Sequence, residues 1–321
     1  MKKVNISVVL SFFNELSNLP ELISRLRNTS NESNNFVINE IIFINDCSTD
    51  GSEEYLTKLA EIDNDIILIN MARKTGVSEC VYAGMSIATG DAVVYLDSDL
   101  QDPPELIQKM VNVWLSNAEC EVVYTVRNSR RGEGIVKLQF TKFGYRFLRR
   151  ITKINLPVDA GDYKLISKKI VNILLTHQEF KPFMRGIITS VGFKQIPVYY
   201  DRDPRGDGRK NTKFVLFSPR TVSGWLDSAL ISFSDAPLKF ALATGVITAF
   251  SSLLYIFVVL IQKILGLYVP GWPSLMAVIL LLGSMQLIIL GVFGLYINAI
   301  YTQTKNRPIY IIKDIVKKTL Q

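Results

Sequence analysis

The chain has 321 residues, 48% of them hydrophobic, and carries 36 basic against 29 acidic side chains for a formal net charge of +7. A single histidine, His177, argues against histidine catalysis and a histidine-rich metal site, and the three cysteines Cys47, Cys80 and Cys120 have neither metal-ligand spacing nor the even count of a disulfide framework. That usage fits a reducing cytosol, and the length allows one sizeable α/β domain plus a further unit.

Residues 4–13 form the first apolar run. The opening MKKVNISVVLSFFNE superficially resembles a secretion signal, but Asn14 and Glu15 interrupt it at once and no small-residue cleavage site follows, so it reads as a strand. Residues 41–45 repeat the pattern of an apolar run that ends in polar residues and leads into helix-like sequence. Ala92 to Leu96 is short, β-branched and aromatic, as a central strand would be. The economical fold is therefore α/β, a β-α-β-α-β unit with a parallel sheet. Asn14, Glu15, Asp46 and Asp97 then line one edge of that sheet, where open α/β sheets place their ligand crevices. Asp46 can accept hydrogen bonds from a nucleobase or ribose, because an ionised carboxylate only accepts. Helix capping is the alternative for Asp46, and the better reading for Asp50.

The stretch GDAVVYLDSDLQDPPE, Gly90 to Glu105, is the most informative. It places Asp97, Ser98 and Asp99 at the C-terminal end of a buried strand. Two carboxylates one residue apart can hold a hard divalent cation, and Mg²⁺ is usually shared between one or two protein carboxylates and substrate phosphates. A polar turn is the alternative for an isolated D-x-D, and Gln101, Asp102 and the Pro103-Pro104 pair argue against it.

Charge is divided unevenly: residues 1–126 carry 8 basic and 19 acidic side chains, residues 127–220 carry 21 basic and 7 acidic. A basic middle suits anionic headgroups, each Lys or Arg near an anionic surface being worth about 1 kcal/mol. No nucleic-acid module is recognisable, and no nucleic-acid partner is expected. Phe217, Trp225 and Leu226 with Arg220 suggest an interfacial amphipathic segment. Phe240 to Ile261 gives 22 residues without a charge and Ile264 to Thr304 gives 41, enough for two membrane helices with a turn at Val269 to Pro273. Lys305, Arg307, Lys313, Lys317 and Lys318 follow the second span, whereas Lys263 alone lies in the connection, so both ends are expected in the cytosol. The expected domains are a cytosolic catalytic domain over 1–214, the amphipathic segment over 215–236, a two-helix membrane domain over 237–304 and a cytosolic basic tail over 305–321.

With these motifs in order, the chain resembles the family 2 glycosyltransferases of GT-A fold, and within them the membrane-bound polyprenyl-phosphate glycosyltransferases such as bactoprenol glucosyltransferases and dolichyl-phosphate mannose synthases. VVLSFFNE (Val8 to Glu15) is similar to a strand followed by P-x-[YF]-N-E, with Ser11 in place of the usual Pro. IIFINDCSTDGS (Ile41 to Ser52) matches the nucleotide-binding N-D-x-S-x-D-x-[ST] run at Asp46 and Asp50, and RKTGVSECVYAGMSIATGD (Arg73 to Asp91) matches the helix before the metal strand. YTVRNSRRGE (Tyr124 to Glu133) looks like an R-x-x-R segment, VDAGDYKLIS (Val158 to Ser167) like D-x-G-D-[FY]-[RK]-L, and RGIITSVGF and ISFSDAPLKF also match. The chain departs at DPRGDGRKNTKF (Asp203 to Phe214), which has two extra residues before Thr212.

The resemblance implies transfer of one sugar, with inversion, from a nucleotide diphosphate sugar such as UDP-glucose to a polyprenyl phosphate such as undecaprenyl phosphate, for cell-envelope or O-antigen glycan modification. Ser11, Phe13, Glu15, Asp46, Asp97 and Ser98 would bind the nucleotide sugar. Asp97, Asp99 and Gln101 would hold Mg²⁺ or Mn²⁺. Arg127 and Arg130 would meet the acceptor phosphate, since guanidinium pairs bidentately with phosphate oxygens. Arg205 and Lys213 would act from the loop over the donor, and Asp159 would position the acceptor, a base role being open. An integral membrane homo-oligomer is expected. A processive polysaccharide synthase would normally carry Q-x-x-R-W, and none of Trp114, Trp225 and Trp272 follows an Arg. A non-catalytic nucleotide-sugar-binding scaffold is the other alternative.

Overall fold

The computed structural model describes residues 3–127, 160–176, 182, 184–201, 236–266, 271–305 and 307–318. Asp159, Arg130, Arg205, Lys213 and the amphipathic segment up to residue 235 lie outside the described residues. The chain divides into two compact units, one built on a sheet that takes in residues from Pro308 onward, the other containing two long apolar helices.

In the first unit strands and helices alternate: β1 (Val4–Phe12), α1 (Leu19–Asn31), β2 (Phe36–Asn45), α2 (Ser52–Ile62), β3 (Ile66–Met71), α3 (Val77–Ile87), β4 (Ala92–Asp97), α4 (Leu106–Leu115) and β5 (Cys120–Arg127). They are followed by β6 (Ala160–Ser167), α5 (Lys168–Thr176), α6 (Met184–Ser190) and β7 (Lys194–Tyr200). A last strand, β8 (Ile312–Val316), completes an eight-stranded sheet of order β7-β5-β6-β4-β1-β2-β3-β8. The central strands β4, β1, β2 and β3 are parallel, whereas β6 runs antiparallel to β4 and β5, and β8 antiparallel to β3.

The central strands are Val/Ile-rich because both of their faces are covered. On one face Ile6, Val8, Leu10 and Phe12 pack with Leu19, Leu22 and Leu26 of α1 and with Ile107 and Met110 of α4. The intervening residues meet α3 closely: a Cβ on Gly84 would stand 2.5 Å from Val9 Cγ1 and 2.8 Å from Ile44 Cδ1. Layers on both faces make this a three-layer α/β fold.

Two stretches differ from the sequence reading. β2 begins at Phe36 rather than near residue 41, because the polar Asn39 and Glu40 conceal its first half. Glu40 is 6% exposed and tolerated there because it accepts hydrogen bonds from the Ser7 hydroxyl and the Thr89 backbone N–H. Residues 312–316, read as part of a basic tail, form β8 instead, its IKDIV alternating partly buried with exposed positions.

The second unit contains α7 (Ala236–Ile264) and α8 (Trp272–Thr304), of 29 and 33 residues. At about 1.5 Å per residue both exceed a hydrocarbon core of about 30 Å. Pro237–Gln262 and Leu281–Thr304 are long and apolar enough to cross a membrane, and large side chains such as Phe250 and Leu281 are exposed along them. Thr248 Oγ1 of α7 donates to Met285 Sδ of α8 at 3.2 Å.

Candidate active site

The parallel strands bring three loops to one edge of the sheet. Register pairs Ser11 of β1 with Asp97 of β4 and Phe12 with Asn45 of β2, so the residues just beyond these strands converge. They enclose a cleft of about 170 Å³ lined by Ser11, Phe12, Phe13, Glu15, Asp46, Val77, Cys80, Asp97, Ser98 and Asp99. Ser11, Phe13, Glu15, Asp46, Asp97, Ser98 and Asp99, singled out from scattered motifs, thus stand together in one place. Gln101 is buried and its side chain is not part of that lining.

Each loop is held in a conformation that non-glycine residues rarely adopt. Asn14, Cys47 and Leu100 have φ of +59°, +63° and +59°, one beyond each of β1, β2 and β4. Strain of this kind persists only where the surroundings over-determine it. Here the first two loops are stitched together: the Asn14 backbone N–H donates to Ser48 Oγ at 3.0 Å, and the Thr49 N–H donates to Asn14 Oδ1 at 2.7 Å. Asp50 accepts from the Leu16 N–H at 3.0 Å and from the Ser52 N–H at 3.1 Å, so its carboxylate ties the first loop to the start of α2, while the N-cap position itself is Gly51 and not the Asp50 expected from the sequence. In the third loop Asp99 Oδ1 accepts from the Gln101 N–H at 3.1 Å, and Ser98 Oγ donates to the Ser11 carbonyl at 3.0 Å.

Asp46 is 7% exposed and accepts from the Thr75 N–H at 2.7 Å through Oδ1, which draws the loop before α3 onto the cleft. Cys80 lies behind it, and burial together with the Asp46 charge pushes its thiol up to about 12. Lys74 Nζ stands 3.1 Å from the Phe13 ring centroid, a cation over a half-exposed aromatic face at the cleft.

The donor set tests whether a metal fits. Among the described residues no group of three or more His, Cys, Asp or Glu is arranged to hold an ion. Asp97 and Asp99, the carboxylates expected from the sequence to hold a metal, both line the cleft. Such a pair suits a hard cation that takes its remaining ligands from a diphosphate and water.

Beyond β4 the sheet assembles a second polar cluster. Asp102, 1% exposed, accepts a short hydrogen bond from the Tyr200 hydroxyl, and Arg127 Nε donates to the same hydroxyl at 3.4 Å. Arg127 is therefore packed against Tyr200 rather than projecting as a solvated turn. Burial and Asp102 push the Tyr200 hydroxyl up to about 12. Continuing the β4–β6 register sets Asp162 opposite Asp97. Burial opposes ionisation of Asp162, but a fork from Arg185 Nε (2.6 Å) and Nη2 (2.5 Å) outweighs it and holds the carboxyl below its usual range. Lys164, 3% exposed and paired in register with Tyr95, is brought down to about 8 by burial despite Asp162 nearby.

Lys74, Lys164, Arg185 and Tyr200 were given no role from sequence. The signals were weak: Lys74, Lys164 and Arg185 fell inside quoted motifs, while Tyr200 sits in a strand with nothing to mark it. Asp102 was noted only as support for the D-x-D reading.

A mixed α/β sheet with an acidic cleft at its carboxyl edge defines the GT-A class of fold. A crystal structure of a mycobacterial protein shares this fold, with a TM-score of 0.50 and 19% identity over 73% of this chain and 77% of that one. Residues 7–174 match glycosyl transferase family 2, and this chain belongs to that family and is a glycosyltransferase. It is 37% identical to an uncharacterized glycosyltransferase, YkcC, of Bacillus subtilis over 97% of this chain and 94% of the relative. It is 33% identical to a prophage bactoprenol glucosyl transferase homolog of Escherichia coli over 98% and 100%, and 34% identical to an SfII prophage-derived bactoprenol glucosyl transferase of Shigella flexneri over 97% and 98%.

Proposed function

We propose that the enzyme transfers one sugar, with inversion, from a nucleotide diphosphate sugar of the UDP-glucose kind to a polyprenyl phosphate in a membrane. The observation that carries this reading is the convergence of the Asp97/Asp99 pair with Ser11, Glu15 and Asp46 in one cleft, in a chain that also has two helices long enough to span a bilayer. Full-length similarity to bactoprenol glucosyl transferases supports the lipid acceptor.

Asp46 accepts from the nucleoside, and Phe13, which carries the Lys74 cation over its ring, lines the same cleft. Asp97 and Asp99 hold Mg²⁺ or Mn²⁺, which when bound neutralises charge developing on the departing diphosphate. The lipid phosphate attacks the anomeric carbon from the opposite side. A phosphate monoester, with a second pKa near 6, is largely dianionic at neutral pH and needs little help from a base. Asp159 accordingly positions rather than deprotonates, and Arg127, Arg130, Arg205 and Lys213 supply cationic partners for phosphate oxygens. The two helices anchor the enzyme with both ends in the cytosol, following the basic residues after α8.

The test is to incubate the purified enzyme with undecaprenyl phosphate and a panel of labelled nucleotide sugars, and separate lipid extracts by thin-layer chromatography. The expected result is a single labelled glycolipid from one donor, dependent on divalent cation. A polymeric product, or release of free sugar without glycolipid, would overturn the reading.

A further inference from the structure

The edge strand β8 does more than close the sheet. From it a relay of side-chain amides runs inward across two strands. Asn70 Nδ2 of β3 donates to Asp314 Oδ1 of β8 at 2.7 Å, and Asn45 Nδ2 of β2 donates to Asn70 Oδ1 at 3.0 Å. The Ser48 backbone N–H then donates to Asn45 Oδ1 at 2.8 Å. Asn45 and Asn70 are 1% and 4% exposed, so neither amide has water to fall back on. The relay ends in the turn that holds Asp46 and the left-handed Cys47, and Ser48 in turn accepts from the Asn14 N–H.

Two further links run the same way. Lys313 Nζ lies 3.6 Å from Glu53 Oε1, while Glu53 Oε2 accepts from Asn45 Nδ2 at 2.9 Å. The Ala72 N–H donates to the Ile311 carbonyl at 2.9 Å, fixing the chain just before Thr75, whose N–H holds Asp46. Pairing at a sheet edge needs only backbone groups. A buried polar relay between an edge strand and a strained loop is costly unless every member is satisfied, and it then specifies one arrangement of that loop.

We propose that Asp314 is a positioning residue for donor binding: through Asn70 and Asn45 it fixes the turn that presents Asp46 to the nucleotide sugar. Asp314 stands in β8, the strand that follows α8 in the chain. This rests on the reading of Asp46 as a donor-binding group.

The test uses the full-length enzyme in detergent, with donor varied at saturating lipid phosphate and the reverse. Asp314→Ala and Asn70→Leu are each expected to raise donor KM at least fivefold, with kcat and lipid KM changing less than twofold and the double variant no worse than the worse single. Asp314→Asn keeps a carbonyl acceptor for Asn70 and is expected to hold donor KM within twofold. Hydrogen exchange at the Ser48 amide is expected to quicken in Asp314→Ala while amides of β1 do not change. Should Asp314→Ala fail to fold, Asn70→Ser, too short to bridge both neighbours, is judged by the same split. Donor KM within twofold of wild type in the folded alanine or serine variant, or a joint loss in both KM values, kcat and melting temperature, would overturn the proposal. Asp46→Ala separates the two levels. If it raises donor KM and Asp314→Ala does not, the relay alone is wrong; if it leaves donor KM unchanged, the donor-loop reading falls and takes the relay with it.

Discussion

Asp97 and Asp99 differ in how the fold uses them. Asp97 ends β4 opposite Ser11, whereas Asp99 also braces its own loop by accepting the Gln101 N–H. Asp97→Asn and Asp99→Asn are both expected to abolish transfer without unfolding the protein, as each removes half the negative charge offered to the cation. Near wild-type turnover with Mg²⁺ in either variant, measured as labelled glycolipid formed, would remove that residue from the metal site. Asp162 offers a pH test. Its carboxyl is held below the usual range, so the pair with Arg185 stabilises the fold above the unfolded pKa near 3.9 and loses that effect as pH falls through the lower folded value. Melting temperatures of wild type and Asp162→Asn should be well separated at pH 7 and draw together as pH falls from about 4 through the lower folded value. Ser11, Phe13, Glu15, Asp46, Asp97, Ser98 and Asp99 were legible in the sequence because each sits within a few positions of a strand end, whereas Val77 and Cys80 reach the cleft from α3 and were not. Arg185 and Tyr200 were not, because what gives them meaning is an Asp 23 and 98 residues away in the chain.

At the level of elements, the apolar runs of β1 and β4 announced themselves through continuous Val, Ile and Leu, and the long uncharged stretches gave α7 and α8 almost to their ends. β8 was illegible: five residues with two charges have no strand signal of their own, and β3 supplies the reason for them to extend. The first half of β2 was hidden for the opposite reason, since Glu40 looks like a surface residue until Ser7 and Thr89 are beside it. The α3 packing shows how closely the layers meet. Gly84→Ala would drive a methyl into Val9 and Ile44, and overpacking of this kind typically costs about 1–3 kcal/mol. Thermal unfolding should show a lowered midpoint for Gly84→Ala, and an unchanged midpoint would mean that α3 can shift away from β1 freely.

Along the whole chain an acidic N-terminal stretch is followed by a basic middle and a basic tail. If α7 and α8 cross the membrane as a pair, a cysteine at Gly271 should be labelled from outside intact cells and one at Lys317 should be protected. Labelling of both from the same side would sink the two-span arrangement. The pairing of β8 with β3 adds a constraint that no count of basic residues can give. A polypeptide that departs a sheet after β7 and rejoins it at β8 has traced a closed circuit, and a closed circuit pierces any surface an even number of times. Whatever crosses a bilayer between those strands must cross back. If both helices do cross, a substitution that cost one of them its crossing is expected to leave β8 on the far side from β3 and the sheet without its edge strand.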